Sequence, residues 1–320
     1  GTTGITNLPS INSGQIGGNR NVIINGAQEV SQRHAGASVP SSSQYVTDRW
    51  KVQSAGSAGD SQQIASTIAG FKSSLKYTGD ADIAWNQIGQ QIEYKNYAHL
   101  VGEDVTISFY AKANNTNGGS TALVLRTRSV TGEDGGALFA GANTDTSVTI
   151  STTAARYTVA RTIPADSKGF SVEFSLGAHV NTDGYEVTGI QLELGTVTAF
   201  EHRSYGEELA LCQRYLYKSI GTHAYTPHGL GSTFAANQVD FVTSYPVKMR
   251  ANPTASYGGT VSASKGTTIS NFSSVGDAGG STFNSFLRCT LAASSFTIGD
   301  CLTVNNNNDA TGYIQFDAEL

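Results

Sequence analysis

Between residues 21 and 203 apolar side chains recur at every second position, segment after segment, and no helical period interrupts them. Val105, Ile107 and Phe109 alternate with Thr106, Ser108 and Tyr110. Tyr157, Val159 and Ile163 stand against Thr158, Ala160 and Thr162, and Phe170, Val172, Phe174 and Leu176 against Ser171, Glu173 and Ser175. Successive side chains of a strand point to opposite faces, so each segment predicts a strand with one buried and one wet face. Stretches dense in Asn, Gly and Asp, at 113–120 and 131–145, separate the strands as loops. A parallel α/β sheet is excluded, because its crossovers need helices. Regular antiparallel strands with long polar connections predict an all-β jelly-roll sandwich. Trp50, after Asp48 and Arg49, is expected in that core with its indole N–H bonded.

The pattern changes once, at residues 189–217, GIQLELGTVTAFEHRSYGEELALCQRYLY. Ile190, Leu192 and Leu194 alternate with Gln191 and Glu193 as a closing strand, which Gly195 breaks. Phe200 follows as an apolar plug. Ser204 and Glu207 have the spacing of a capping box, which satisfies the orphan N–H groups of a helix start. Tyr205, Leu209, Cys212 and Leu216 then make one stripe at helical spacing, with Lys218 and Gly221 as the expected helix end. These features predict a short linking α-helix over 204–221. Residues 222–320 return to strand patterns, including Val239, Phe241 and Tyr245 and a terminal strand at 313–320, with a turn at 305–309. They predict a second, smaller β-sandwich. Residues 1–20 have no period and many glycines, as a linker or the end of a stem would.

The chain has 320 residues, enough for two domains, with 36 Gly, 6 Pro and only 14% charged residues. Net charge is −5, and no basic cluster exists to neutralise phosphates, which excludes nucleic acid as a partner. No run of about 18 apolar residues is present, so no helix is expected to insert in a membrane. The chain begins at Gly1 without a signal peptide, as a fragment or processed product would. Three cysteines are too few for a disulfide framework. Cys212 is expected to be a small buried hydrophobe, and a Cys289–Cys301 bridge is left open.

The sequence holds no HExxH, CxxC pair, GxSxG elbow or phosphate-binding glycine loop. His223 and His228 have a spacing that suits no zinc pair. The carboxylate pairs Asp80/Asp82, Glu103/Asp104, Glu133/Asp134 and Glu207/Glu208 read as turn and helix-start residues. Glycoside hydrolysis instead needs two carboxylates ~5–10 Å apart across a sugar. Sugar binding needs aromatic faces together with amides, carboxylates and guanidinium groups for the hydroxyls. Trp85, Tyr94 and Tyr97 in the first domain and Tyr225, His228 and Tyr257 in the second are the aromatic candidates. Asn114-Asn115-Thr116 and Asn271-Phe272-Ser273 fit the N-glycosylation pattern.

Four stretches together resemble bacteriophage tail-fibre and appendage proteins: 189–217, FVTSYPVKMRANPTAS at 241–256, NVIINGAQEV at 21–30 and YVTDRW at 45–50. This sequence departs from that family at Leu216, where a second tyrosine is commoner, and at Val197-Thr198-Ala199, where Ala-Thr-Pro is usual. The resemblance implies a jelly roll over 21–203 and a distal domain over 222–320. Between them it implies a joint built from Gln191, Glu193, Phe200, Glu201, Arg203, Glu208, Leu209, Cys212, Arg214 and Tyr215. It further implies a homotrimeric virion protein without enzymatic activity, made in the host cytoplasm and joined to other virion proteins on its N-terminal side. Its distal domain would bind host-surface polysaccharide or lipopolysaccharide. The jelly roll also resembles carbohydrate-binding modules, some of which hold calcium near the position of Glu29. Otherwise no cofactor is implied. Two alternatives stay open: a carbohydrate-binding module of a secreted protein, and a depolymerising tailspike. The latter usually carries β-helix repeats, and no repeat of 20–50 residues occurs here.

Overall fold

The computed structural model describes residues 20–57, 59–80, 84–114, 121–136, 138–179, 182–293 and 296–320. The stretch 1–19, Asp82, Asn115 and Thr116 lie outside the described residues. The chain divides into two compact units between Glu208 and Leu209.

The first unit is a jelly-roll sandwich. Its strands are β1 (Val39–Pro40), β2 (Gln44–Thr47), β3 (Trp50–Ser54), β4 (Asp60–Ala65), β5 (Ser73–Thr78) and β6 (Asn86–Ile92). After a single helical turn, α1 (Tyr94–Tyr97), come β7 (Asp104–Asn114), β8 (Thr121–Val130), β9 (Ala142–Ile150), β10 (Ala155–Thr162), β11 (Gly169–Leu176) and β12 (Gly184–Leu194). They pair as two antiparallel six-stranded sheets, β1-β4-β5-β12-β7-β10 and β2-β3-β6-β11-β8-β9. The expected alternation supplies the core. Phe109, Phe170, Val172, Phe174, Val187, Ile190 and Leu192 are buried between the sheets with Trp50, whose indole N–H donates to the Asn25 carbonyl at 3.0 Å. The wet faces fail on two strands. Thr106 and Ser108 on β7 and Ser171, Glu173 and Ser175 on β11, assigned to wet faces, are buried too, and Glu173 receives the backbone N–H of Phe139 from the loop after β8.

The segment 21–30 forms no regular strand, yet it is fixed along β12. The Asn21 side chain donates to the Ile190 carbonyl (2.9 Å) and accepts from Leu192 N (3.1 Å), while Val22 N donates to the Leu192 carbonyl (3.2 Å). Asn25 has φ 56°, and its amide bonds both backbone groups of Val30 and the carbonyl of Asp48. Gly26 then packs against β12 so closely that a Cβ there would lie 2.2 Å from the Ile190 carbonyl oxygen. The Asn-Gly pair of this stretch is thus required by backbone geometry and close approach.

A helix, α2 (Tyr205–Gln213), follows, opened by the predicted capping box. Ser204 N donates to the Glu207 carboxylate at 3.0 Å and Glu207 N to Ser204 Oγ at 3.3 Å. The helix ends earlier than the stripe predicts. Leu216 to Lys218 belong instead to a strand, β13 (Leu216–Ile220), which pairs along its length with Tyr313–Asp317. Pairing of an alternating Leu-Tyr-Lys-Ser-Ile segment outweighs helical continuation here.

The second unit continues with β14 (Pro227–Ala235), β15 (Gln238–Ser244), β16 (Thr254–Gly258), β17 (Val261–Lys265), β18 (Thr268–Gly280), β19 (Asn284–Leu291), β20 (Cys301–Asn306) and β21 (Tyr313–Asp317). Where the sequence predicts stacked sheets, hydrogen bonding closes six strands into a barrel, β14-β15-β19-β18-β17-β20, and leaves a three-stranded sheet, β13-β21-β16. Two devices permit closure. The long β18 is bent by register shifts at Phe272/Ser274 and Asp277/Gly279, and so pairs with both β17 and β19. On β14, Gly231 lets the wall approach β15, where a Cβ would lie 2.5 Å from the Asp240 carbonyl oxygen. Cys289 is buried and Cys301 exposed, both as free thiols, so the bridge left open by the sequence is absent.

Gly26→Ala forces its new methyl against the Ile190 carbonyl. We expect a loss of about 2 kcal/mol, seen as a lower urea midpoint with an unchanged slope.

Candidate functional site

Strand register gathers a polar surface on the outer side of the sheet β2-β3-β6-β11-β8-β9. One row holds Tyr45, Lys51, Gly89, Glu173, Arg126 and Asp145. The next holds Gln53, Gln87, Ser175, Val124 and Ser147. A third holds Gln91, Ser171, Arg128 and Asn143.

The loop after β8 covers part of this surface. Gln91 donates to the carbonyls of Asp134 (3.0 Å) and Gly135 (2.8 Å), and Tyr94 N donates to the Asp134 carboxylate (2.7 Å). Under it Glu173 accepts both contacts of Arg128 Nε (3.1 and 3.0 Å) and the Ser171 hydroxyl (2.8 Å). Glu173 is fully buried, and this full complement of donors satisfies its charge. Gly89 has no side chain because a Cβ would meet Glu173 Cγ and Leu138 Cδ1, each at 2.7 Å.

The uncovered part carries Lys51, Gln53, Gln87, Arg126 and Asp145. Arg126 and Asp145 form a two-point pair, Nε to Oδ1 and Nη2 to Oδ2, both 2.7 Å. The pair raises the Arg126 pKa and lowers that of Asp145, so both stay charged across the neutral range. The side-chain amides of Gln53 and Gln87 make no hydrogen bond among the described residues, and both are half-exposed. Tyr45 carries Arg33 over its ring at 4.5 Å and Lys51 at 5.9 Å. Such a surface offers fixed donors and acceptors to a hydroxyl-rich ligand. On the other sheet, an open cleft of about 630 Å³ lies among Asp104, Val105, Thr106, Ala160, Arg161 and Thr162.

The aromatic candidates scatter. Trp85 is half-buried just before β6, two residues from Gln87. Tyr97 is fully buried against Phe170 with its hydroxyl 3.1 Å from Ser167, and burial pushes its pKa up to about 12. It is a core residue, not a ligand contact. Tyr94 packs edge-on against it, ring centroids 5.6 Å apart. His228 has both ring nitrogens engaged, at 3.0 Å from Ser219 and 2.7 Å from Asn306, and burial lowers its pKa. Tyr257 is half-buried, donating to the Phe272 carbonyl at 3.2 Å, and Tyr225 is exposed. The sequence search missed Gln53, Gln87 and Arg126. Alternation is read in β7, β10, β11 and β12 and not in β3, β6 or β8, and only register puts these residues on one surface.

Glu29 does not fit the calcium expectation. It lines a small cavity with Arg203, His202 and Glu208, where a guanidinium opposes a cation, and no group of three His, Cys, Asp or Glu gathers among the described residues.

The joint residues fall into two sets. In the first unit, Gln191 accepts from Glu201 N (2.8 Å) and donates to Glu193 (2.8 Å), while Glu193 accepts from Thr198 N (2.9 Å) and its hydroxyl (2.6 Å). Glu201 accepts from Asn21 N (2.9 Å), and Arg203 donates to the carbonyls of Ile23 (2.9 Å) and Asn21. Arg203 also pairs with Glu208 at 3.4 Å, and Asn25 N donates to Glu208 at 2.5 Å. Phe200 plugs an aromatic group with Phe71 and His202, centroids 5.2 and 4.8 Å away. The other four residues lie in the second unit. Leu209 is half-buried and Cys212 and Tyr215 are buried. Arg214 and Tyr215 accept backbone N–H groups of Arg250 and Ala318, both at 2.8 Å.

No protein-family model matches this chain, and no curated protein matches it. Among solved structures it is similar to a putative sugar binding protein from Bacteroides thetaiotaomicron, at 13% identity over 55% of this chain and 100% of that one, TM-score 0.38. It is similar to the enzymatically active domain of tailspike protein 4 of bacteriophage CBA120, at 15% identity over 55% of this chain and 22% of that one, TM-score 0.35. It is also similar to a xylan-binding domain from Paenibacillus barcinonensis, at 16% identity over 52% and 99% of the two chains, TM-score 0.34. The jelly-roll assignment rests on strand order and register, not on these likenesses.

Removing Arg203 strands the buried Glu208. Arg203→Met should cost about 3 kcal/mol, read from equilibrium unfolding of the first unit. Burial outweighs the pull of Arg203 and raises the Glu208 pKa above its ordinary 4.5. The native state therefore holds this proton where the unfolded chain has released it. The resulting stability is complete below pH 4.5 and fades as pH rises through the raised value. Glu208→Gln still accepts from Asn25 and should flatten that part of the unfolding midpoint against pH.

Proposed function

We propose that this chain is a non-enzymatic glycan-binding protein of a bacteriophage fibre or appendage, acting as a homotrimer on host-surface polysaccharide or lipopolysaccharide. The observation that carries the binding is the uncovered surface of Lys51, Gln53, Gln87, Arg126 and Asp145, drawn from two adjacent rows. Two amides have no internal partner, and a guanidinium–carboxylate pair is held in place by its own geometry. A sugar hydroxyl pair can bridge an amide or the rim of such a pair without ordering new side chains, which keeps the entropic cost of binding low. The surface lies on the first unit. The distal candidates His228 and Tyr257 spend their polar atoms internally, which argues against the distal domain as the main contact.

Absence of catalysis is supported by the same groups. Glu173 is buried and fully bonded, and Asp145 is locked to Arg126, so neither carboxylate is arranged as a general acid or a nucleophile. The sequence resemblance supplies the virion setting. Weak single sites repeated in a trimer, and again across several fibres, would give avidity well beyond one site.

Titration of the whole chain with host capsule and lipopolysaccharide glycans tests the proposal. Gln53→Ala combined with Gln87→Ala should weaken binding about tenfold with an unchanged unfolding midpoint. Equal binding by that double variant, or shortening of the polysaccharide in a clearing assay, would refute it.

A further inference from the structure

Asn25 and Gly26 stand in the order that suits an intrachain reaction of asparagine. In such a pair the glycine backbone nitrogen attacks the side-chain carbonyl carbon of the asparagine, and a glycine, lacking Cβ, leaves that approach open. The new C–N bond closes a cyclic imide, and the side-chain nitrogen leaves as ammonia. Water then opens the imide at one carbonyl or the other, giving aspartate or a β-linked isoaspartate. Water is the sole co-reactant. The reaction needs the asparagine side chain to swing onto the glycine nitrogen, and it needs solvent. The folded chain permits neither. Asn25 is fully buried, and Gly26 is buried beside it. The Asn25 side-chain nitrogen donates to the carbonyls of Val30 (2.8 Å) and Asp48 (2.9 Å), and the side-chain oxygen accepts from Val30 N (3.0 Å). Its backbone carbonyl accepts from Gln28 N and from the Trp50 indole, both at 3.0 Å, and its N–H goes to Glu208. Gly26 is pinned on β12, where its carbonyl takes Ile190 N at 3.0 Å. Every polar atom of Asn25 is engaged, and the swing would break three of these bonds at once.

We propose that Asn25-Gly26 is a deamidation site that the fold keeps shut and unfolding opens, and that reaction there bars the chain from folding again. Neither product fits the native position. Aspartate loses both side-chain donors and sets a carboxylate against the carbonyl oxygens of Val30 and Asp48, while the Glu208 carboxylate already occupies the N–H of the same residue. A buried charge facing acceptors is strongly destabilising. Isoaspartate routes the main chain through an extra methylene just before Gly26. There is no room for it, since even a Cβ on Gly26 would lie 2.2 Å from the Ile190 carbonyl oxygen. The segment 21–30 forms no regular strand and depends on polar exchange, so losing one member leaves others buried and unpaired. The chemistry is slow beside the opening and closing of a folded chain. Its rate in the folded protein therefore follows the population of the open form. A chain left unfolded is lost by a covalent step of its own as well as by aggregation.

Peptide mapping by mass spectrometry tests this, on the whole chain held either folded in buffer or unfolded in guanidinium chloride at one neutral pH and temperature. A second Asn-Gly pair, at 117–118, is removed by Asn117→Gln so that a single site is read. The peptide spanning Asn25 should gain the mass difference between an amide and a carboxyl at least about a hundredfold faster in denaturant, because the stability of a folded domain keeps the open population below that fraction. Gly26→Ala, compared in denaturant where folding plays no part, should slow the gain about tenfold by crowding the attacking nitrogen. On dilution out of denaturant, the unmodified fraction of an aged sample should recover the native circular dichroism and the deamidated fraction should not. Equal rates in the folded and unfolded chain overturn the proposal. So does an unfolded chain that does not react at Asn25, or a deamidated fraction that refolds with the unmodified midpoint.

Discussion

Strand β12 is buried on both faces, and its outward residues are polar. From Gly184 to Glu193 no residue is open to solvent. Tyr185, Val187, Ile190 and Leu192 fill the sandwich, which leaves Glu186, Gln191 and Glu193 on the far side without water. A buried carboxylate without partners is far costlier than any packing gain it could bring. The surrounding chain is arranged to supply those partners. Thr67 gives Glu186 its backbone N–H (2.9 Å) and its hydroxyl (2.5 Å). Thr198 gives Glu193 the same two groups, and Glu201 N serves Gln191. The elbow after β12 therefore folds back because the strand it leaves needs donors.

The same requirement explains why the segment 21–30 is ordered without a ladder. Its carbonyls at Asn21 and Ile23 go to Arg203, its Asn25 N–H to Glu208, and its Asn21 N–H to Glu201. Residues almost two hundred positions apart are held by polar exchange, with Phe200 and Phe71 closing the apolar side. The stretches NVIINGAQEV and AFEHRSYGEEL that carry the family resemblance are the two halves of this exchange. A network of this kind tolerates little change, since removing one member leaves another buried and unpaired.

Much of the first unit was legible because alternation is a local signal. Phe170 to Leu176 and Val105 to Phe109 read directly as strands, and the Ser204–Glu207 box read as a helix start. What failed was non-local. Ser171 and Glu173 look like a wet face until the loop after β8 is laid over them, and nothing in the strand's own residues announces that loop. Leu216 fits a helical stripe, but its partner in the ladder, Asp317, lies about one hundred residues away. The barrel was hidden for a related reason, since closure depends on bulges in β18 and on a glycine of β14 that resembles any loop glycine in sequence. The candidate surface suffered most. Aromatic residues drew attention by type, and Tyr97 and His228 proved to be internally committed. Gln53, Gln87 and Arg126 are unremarkable singly and become a site only through register.

The two units handle exposed surface in opposite ways. On the first, strong charges are matched within the sheet before any ligand arrives, as Arg126 with Asp145 and Arg128 with Glu173, and the amides of Gln53 and Gln87 in the neighbouring row remain available. On the barrel, Arg288 and Asp240 neutralise each other, and Leu230, Phe234, Val242 and Phe286 lie exposed on β14, β15 and β19. A preformed polar surface with unfilled donors suits a small hydroxylated ligand, whose binding is limited by the cost of ordering side chains. The contrast follows from which polar atoms the fold has already satisfied.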